Sequence, residues 1–200
     1  MQGKLLILSA PSGAGKTSLA RALIESTPNT QMSISHTTRN CRKGEKHGVD
    51  YFFVSDVEFK SMIEANQFLE FAQVYEKFYG TSKQNITEML EKGINVLLDV
   101  DWQGARAVKR LMSEAISVSI LPPSREELER RLRHRARDPE DVIKKRMLQA
   151  ESEMQHCREA DFIVLNDDFD LALQDLQYVM KDQTEKVRKL SIDLDSLLNP

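Results

Sequence analysis

The sequence of 200 residues predicts an α/β fold, a parallel sheet with helices on both faces. Three observations carry this. Four short apolar runs, Lys4–Ser9, Ile94–Val100, Ser117–Leu121 and Asp161–Leu165, have the continuous hydrophobic character of strands buried on both sides. Segments with helical spacing alternate with them. The first run passes through a glycine-containing turn straight into a helical pattern, the opening of a βαβ unit.

The elements follow in order. Lys16–Ser26 is a helix with Leu19, Leu23 and Ile24 on one face, stopped by Pro28. Met32–Ser35 is a short strand candidate, and Thr37–Asp50 is polar, basic and turn-rich. Tyr51–Val54 is strand-like. Ser55 and Glu58 have capping-box spacing and open a helix carrying Phe59, Met62 and Ile63. Phe68–Val74 and Phe78–Gly80 are further short strands. Ser82–Lys92 is a helix with Gly93 as its stop. A helix from about Gln103 to Met112 follows the second buried run. Ser124 and Glu127 repeat the capping-box spacing before an arginine-rich helix. Asp138-Pro139 starts another helix, with proline at its first position, which runs to about Arg158. Asn166–Asp168 is a turn, and a long terminal helix begins at Phe169. The stretch from Ser33 to Ser82 breaks the alternation with short mixed strands and reads as an inserted subdomain.

Composition narrows the function classes. With 40% hydrophobic residues the chain can bury a full core, so disorder is excluded as its main state. Runs such as Leu5–Leu8 are too short to span a bilayer, and no signal peptide is visible. Cys41 and Cys157 are too few for a disulfide framework or a zinc site. A cytoplasmic location without membrane partners is therefore expected. The net charge of −3 speaks against binding a nucleic-acid polymer. The charge is uneven, however: residues 125–146 hold nine Lys/Arg against six Asp/Glu, so the rest of the chain is strongly acidic.

Ala10-Pro11-Ser12-Gly13-Ala14-Gly15-Lys16-Thr17-Ser18 lies between the first strand and the first helix, where a phosphate-cradling loop must lie. Backbone N–H groups would curl around the β-phosphate, helped by the helix N-terminus. Lys16 would reach the β/γ oxygens, and the Thr17 hydroxyl would bind Mg²⁺. Ala10 replaces the first glycine of the consensus. The expected fold is thus a P-loop NTPase-type sheet with a nucleoside triphosphate site. An N-K-x-D guanine-reading motif is absent from the sequence, so a regulatory GTPase is disfavoured. The length and the insertion after the first helix suit a small-molecule kinase.

At this point a resemblance enters. The segment from Ser33 through His36-Thr37-Thr38-Arg39, Arg42, Gly44 and Glu45 resembles the acceptor segment of guanylate kinases. So do Gly48–Val54, Phe68–Ala72, Tyr79-Gly80-Thr81, Leu97–Gly104 and Val164–Asp168, in family order from about Leu5 to Val179. The resemblance implies ATP + GMP ⇌ ADP + GDP. It implies a single domain of core (1–32, 83–124 and 159–200), GMP-binding insert (33–82) and lid (125–158).

It also implies roles. Arg39 and Arg42 would grip the GMP phosphate, since arginine's planar fork matches phosphate oxygens. Tyr51 and Tyr79 would add hydroxyl donors. Glu70 would read guanine, because a carboxylate only accepts and guanine offers two adjacent donors. Ser35, Thr81 and Asp101 would complete that pocket. Arg131, Arg135 and Arg146 would close over ATP, and Asn166 would touch its adenine. His134 and Ala136 stand where many relatives have glycines. Taken singly, each residue has a plainer reading: surface arginines, half-buried core tyrosines, a strand glutamate facing solvent, aspartates capping the next helix. Their joint occurrence behind an intact loop favours the kinase. The competing readings are a non-catalytic guanylate-kinase-like interaction module and a kinase acting on another nucleotide or phosphorylated ribose. The histidines show no metal spacing and receive no role. The sequence leaves homo-oligomerisation open.

Overall fold

A computed structural model of the chain describes residues 2–135 and 139–199, without the side chain of Arg135. Five parallel strands form the main sheet, one more than the four apolar runs predict. Its central strand, β1 (Leu5–Ser9), is almost wholly buried. Leu6 and Leu8 point to one face and Leu5 and Ile7 to the other, as strand alternation requires. The first face is covered by α1 (Lys16–Ser26), through Leu19 and Leu23, and by a C-terminal helix, through Leu176 and Val179. The other face is covered by the helices that carry Ile86, Leu90 and Val108.

The fifth strand is β2 (Thr30–Met32), which pairs with the Asn95–Asp99 strand. The Met32–Ser35 expectation is shifted accordingly. The chain leaves the main sheet after Ser33, whose N–H still donates to the Leu97 carbonyl at 2.9 Å, and β3 (His36–Thr37) joins a second, mixed sheet. That sheet adds β4 (Phe52–Phe53), β5 (Phe68–Val74) and β6 (Lys77–Ser82), in the order β4-β3-β6-β5. Between β4 and β5 runs α2 (Asp56–Glu64), capped by the Ser55 hydroxyl accepting from the Glu58 N–H at 3.1 Å. Such a cap contributes about 1 kcal/mol. Buried Phe59 on α2 stacks on Phe68 and Phe78, fixing the helix to the mixed sheet.

The chain returns to the core through α3 (Lys83–Glu91) and β7 (Asn95–Asp99). Then come α4 (Trp102–Leu111) and β8 (Ile116–Leu121). The strand order β2-β7-β1-β8, closed by the Phe162–Leu165 strand on the far side of β8, puts β7 and β8 on opposite sides of β1. The crevice beyond the carboxyl ends of these strands is where ligands bind in open parallel sheets.

The arginine-rich helix is α5 (Arg125–Arg135), with Ser124 Oγ accepting from the Glu127 N–H at 3.1 Å. The next helix, α6 (Glu140–Met154), departs from expectation at both ends. Pro139 is its extended N-cap, not its first helical residue, and Asp138 lies outside the described residues. The chain leaves the α-helix at Met154 and makes a 3₁₀ turn at Cys157–Glu159 before β9 (Phe162–Leu165). The terminal helix is also shorter than expected: α7 (Phe169–Met180) ends well before the tail. The tail folds back to α8 (Leu194–Leu198), whose Leu197 and Leu198 are buried among Leu121, Leu128, Leu132 and Met154. Among the described residues no helix is long and apolar enough to cross a membrane.

Candidate active site

A cleft of about 520 Å³ opens at the carboxyl end of β1. Residues 9–13 and 15–18 wall one side; Asp101, Trp102, Arg131, Glu153, His156 and Cys157 are on its other walls. The loop takes its shape from backbone. Gly13 and Gly15 have φ of 93° and 97°, the left-handed region that favours glycine. Loop residues Ala10, Pro11, Ser12, Gly13, Gly15, Lys16, Thr17 and Ser18 all face the cleft, while Ala14 is fully buried beneath it. Thr17 and Ser18 are exposed on the first turn of α1.

Lys16 Nζ is ion-paired with Asp99 and donates to the Val100 carbonyl at 3.4 Å. Sequence reading gave Asp99 only a capping role. Its signal was present: an acid at the end of a buried strand beside the loop strand is where phosphate-loop proteins keep a metal-binding aspartate. Asp101 is the residue that caps, with Oδ1 accepting from the Gly104 N–H at 2.8 Å, and it also faces the cleft.

Asn166 is buried below the loop. Its side-chain N–H donates to the Ala14 carbonyl at 2.7 Å, and its own carbonyl accepts from Arg131 Nη2 at 3.0 Å. The side chain expected at adenine here braces the loop through one of its amide N–H groups. Arg131 also donates from Nε to Glu127 at 2.7 Å. Hydrogen bonds from Arg130 and Arg131 hold the Glu127 carboxyl well below the usual range, at about 2. The sequence marked Glu127 only as a capping-box residue; its i,i+4 spacing to Arg131 was the signal for this pair. Arg146 lies half-buried on α6 and is not among the cleft walls. The side chain of Arg135 lies outside the described residues.

Apart from Asp101, the acceptor residues lie beyond the walls of the cleft, with Glu70, Tyr79 and Thr81 on strands of the mixed sheet and Ser35, Arg39, Arg42 and Tyr51 on segments flanking β3 and β4. They form two groups. In one, Arg39 makes a two-pronged pair with Glu45, Nη1 at 3.0 Å and Nη2 at 2.8 Å. Its guanidinium lies 5.2 Å from the Tyr51 ring centroid, and Tyr51 meets Tyr79 edge-on at 6.0 Å. Glu45 also accepts from the Arg42 N–H at 2.8 Å, so one carboxylate shapes the loop that bears both arginines. These bonds lower the Glu45 pKa and raise that of Arg39. Arg42 itself is exposed.

In the other group, Glu70 accepts from the Thr81 hydroxyl at 2.5 Å. Burial pushes the Glu70 pKa up; the Asp101 charge adds to this and the Thr81 bond opposes it. A register shift between Phe68 and Glu70 breaks the β5–β6 pairing, leaving Glu70 opposite Thr81. Such an irregularity re-aims a side chain, which is why simple alternation gave Glu70 a solvent-facing reading. Ser35 is half-buried, and its carbonyl accepts from the Phe52 N–H at 2.9 Å.

His156 and Trp102 were given no role from sequence, yet they stack at 3.4 Å between ring centroids on the cleft wall. Glu159 bonds His156 Nδ1 at 2.8 Å and pairs with Arg106, which lies over Trp102. The stack joins the start of α4 to the segment after α6. Among the described residues no group of three or more His, Cys, Asp or Glu could hold a metal ion.

Comparison with known proteins sharpens this geometry. Residues 2–183 match the family model described as guanylate kinase. The chain is 50% identical over 200 residues to the guanylate kinase of Escherichia coli strain K12, covering 99% of this chain and 97% of that one. It is 49% identical over 198 residues to the guanylate kinase of Pseudoalteromonas translucida, covering 99% and 96%. The crystal structure of guanylate kinase from Anaplasma phagocytophilum aligns with a TM-score of 0.69 and 33% identity, covering 92% of this chain and 88% of that one.

Proposed function

The chain belongs to the guanylate kinase family and transfers the γ-phosphoryl group of ATP to GMP, giving ADP and GDP; we propose that the residues above divide that work between two phosphate-gripping ends. The observation that carries the residue assignment is Glu70. Its carboxylate is half-buried, held by the Thr81 hydroxyl and close to Asp101, on the sheet whose β3 leads into the loop bearing Arg39. A carboxylate there accepts from guanine N1–H and the 2-amino group; adenine would set a lone pair against it.

At the donor end the loop amides and Lys16 bind the ATP phosphates, and Arg131, with Arg135 and Arg146 of the lid, closes over them. Lys16 exchanges its Asp99 partner for phosphate oxygens, as Arg131 exchanges Glu127. At the acceptor end Arg39, Arg42, Tyr51 and Tyr79 hold the GMP phosphate. That phosphate is already an anion at neutral pH, so no side chain need remove a proton from it. Transfer is direct and in line; the protein brings anions together, orients them and offsets their repulsion.

The exposed Thr17 hydroxyl and the Asp99 carboxylate are hard oxygen donors near the loop, which suits Mg²⁺. That ion takes one or two protein oxygens and otherwise binds phosphates and water. Mg²⁺ held there would neutralise charge on the ATP phosphates. The insert (33–82) and lid (125–158) approach the core as substrates bind and exclude water. A cytoplasmic setting fits two cysteines that form no disulfide.

A coupled assay of ADP release tests the assignment, with ATP against GMP, dGMP, AMP, UMP, dTMP and ribose bisphosphate. GMP is expected to be the preferred acceptor, and a clear preference for another acceptor would overturn the role given to Glu70.

A further inference from the structure

We propose that Arg188, aimed by the buried carboxylate of Asp175, is a positioning residue for the ATP half of the site. Asp175 on α7 is only 2% exposed, and the mechanism above does not use it. Its Oδ1 accepts from the Arg188 N–H at 2.9 Å and its Oδ2 from Arg188 Nε at 2.8 Å. Both terminal nitrogens of the same guanidinium are engaged as well. Nη2 donates to the Leu165 carbonyl at 3.0 Å, and Nη1 to Asp167 Oδ1 at 3.1 Å.

Leu165 and Asp167 flank Asn166. Asn166 is the residue that bonds the Ala14 carbonyl of the phosphate loop and accepts from Arg131. Its N–H is itself tied to the Leu121 carbonyl at 2.8 Å. One rigid fork on the tail therefore pins both neighbours of the residue that joins loop and lid arginine. The tail delivers it there: Val187 packs against the core, and Leu190, Ile192, Leu197 and Leu198 pack against the cluster containing Leu128 and Leu132. This gives the segment beyond α7 a task in the reaction, set by geometry and not by contact with substrate.

A lysine at 188 would keep a charge for Asp175. It could not span Asp167 and Leu165 as well, because only a planar guanidinium presents donors in a fixed fork. Small displacements at a reacting site can cost up to about a hundredfold, so a loosened turn is expected to register in kinetics.

The inference rests on the assignment of this cleft to ATP, so wild-type turnover of ATP with GMP is measured first in the full chain. Each substrate is then varied for Arg188→Ala and Arg188→Lys, and Tm is recorded for each. We expect KM for ATP to rise about tenfold in Arg188→Ala and about fivefold in Arg188→Lys, with KM for GMP within about twofold of wild type. Arg188→Lys should retain a Tm close to wild type. A purely structural role would lower Tm and the yield of active enzyme but leave both KM values alone. Unchanged KM for ATP in Arg188→Lys, or equal rises for both substrates, overturns the inference while leaving the ATP assignment standing. Absence of wild-type turnover overturns both. If Arg188→Ala does not fold, Arg188→Lys decides alone.

Discussion

The donor loop is held from beneath by backbone geometry and a buried amide, whereas the acceptor arginine is held from the side by a carboxylate on a surface loop. Gly13, Gly15 and Asn166 fix the first through packing against the core. Glu45 fixes Arg39 and the Arg42 backbone, on a sheet with two strands only two residues long. Both ends must bind phosphate, yet they differ in what defines their shape. The donor end is preorganised by the fold itself. The acceptor end is preorganised by ion pairs, which salt and substrate can exchange. A site that must open to admit a second nucleotide is served by having one rigid end and one adjustable end.

The sharpest way to break this comparison is to remove the charge that the donor end aims. Lys16→Ala should lower kcat about a thousandfold, within the range for loss of one preorganised electrostatic donor. The loop should persist, because Asn166 and the glycines shape it without Lys16. A circular-dichroism melt close to wild type alongside the lost kcat is the expected pair of results. A collapse of Tm would show that the loop depends on the Lys16–Asp99 pair.

Glu70→Gln examines the acceptor end. It puts an amide where guanine needs a pure acceptor, and kcat/KM for GMP should fall about a hundredfold with KM for ATP unchanged. Stability should move the other way. Burial raises the Glu70 pKa, so ionised Glu70 is disfavoured in the folded state, at a cost that builds as pH rises from about 4.5 through the raised folded value and is constant above it. The glutamine variant escapes that cost while its carbonyl can still accept from Thr81. Its Tm at pH 7 should match or exceed wild type. In the wild type, KM for GMP should rise as pH falls through the raised Glu70 value, while KM for ATP stays flat. Parallel rises in both would assign the effect elsewhere.

A glycine pair isolates the packing difference. Gly15 and Gly44 have φ of 97° and 95°, so alanine at either adopts a left-handed conformation costing about 1–2 kcal/mol. Their surroundings differ. A Cβ at Gly15 would run into the Asn166 amide nitrogen, while one at Gly44 meets nothing within 4 Å. Gly44→Ala should therefore lower Tm by only about 2–8 °C. Gly15→Ala should lower it further and also raise KM for ATP about tenfold, since it displaces the residue that braces the loop. Equal effects on Tm and kinetics would erase the distinction between a packed loop and an open one.

How much of this was legible in the sequence follows the same division. The phosphate loop could be read because its function is carried by local backbone, and Gly13, Gly15 and Lys16 state it within four residues. Helix starts at Ser55 and Ser124 were equally local, and their hydroxyls accept as the capping-box spacing predicts. Strand β2 was misplaced because Thr30–Met32 has little apolar character of its own and is fixed by pairing with β7, far along the chain. The end of α6 at Met154 was also missed; residues 155–158 carry no glycine or proline, and a 3₁₀ turn into β9 ends the helix there. Asn166 and Arg188 were the least legible. The Asn166 side chain finds its partner 152 residues away, and the Arg188 guanidinium serves three acceptors 13, 21 and 23 residues away that no spacing rule connects.

The smallest expected effect lies in the acceptor sheet and concerns protons. His36 on β3 is buried and stacks on Phe52 at 4.7 Å, with Phe68 edge-on to it. Burial lowers its pKa below 6.5; Glu58 opposes this and His47 adds to it. The unfolded chain therefore binds a proton at this ring at higher pH than the folded protein does. Stability from this group is fully present above about pH 6.5 and is lost as pH falls through the lowered folded value. The loss is at most about 1.4 kcal/mol per pH unit for one proton. That corresponds to about 3–6 °C in Tm for a chain of this size. His36→Gln has no proton to gain there, so its Tm should fall less steeply between pH 7 and 5 than that of the wild type. Lys16 and the loop lie on the other sheet, so KM for ATP should not follow this titration. Identical pH slopes for the two proteins would mean that the acceptor sheet tolerates a charged His36, and that its adjustability extends to its buried face.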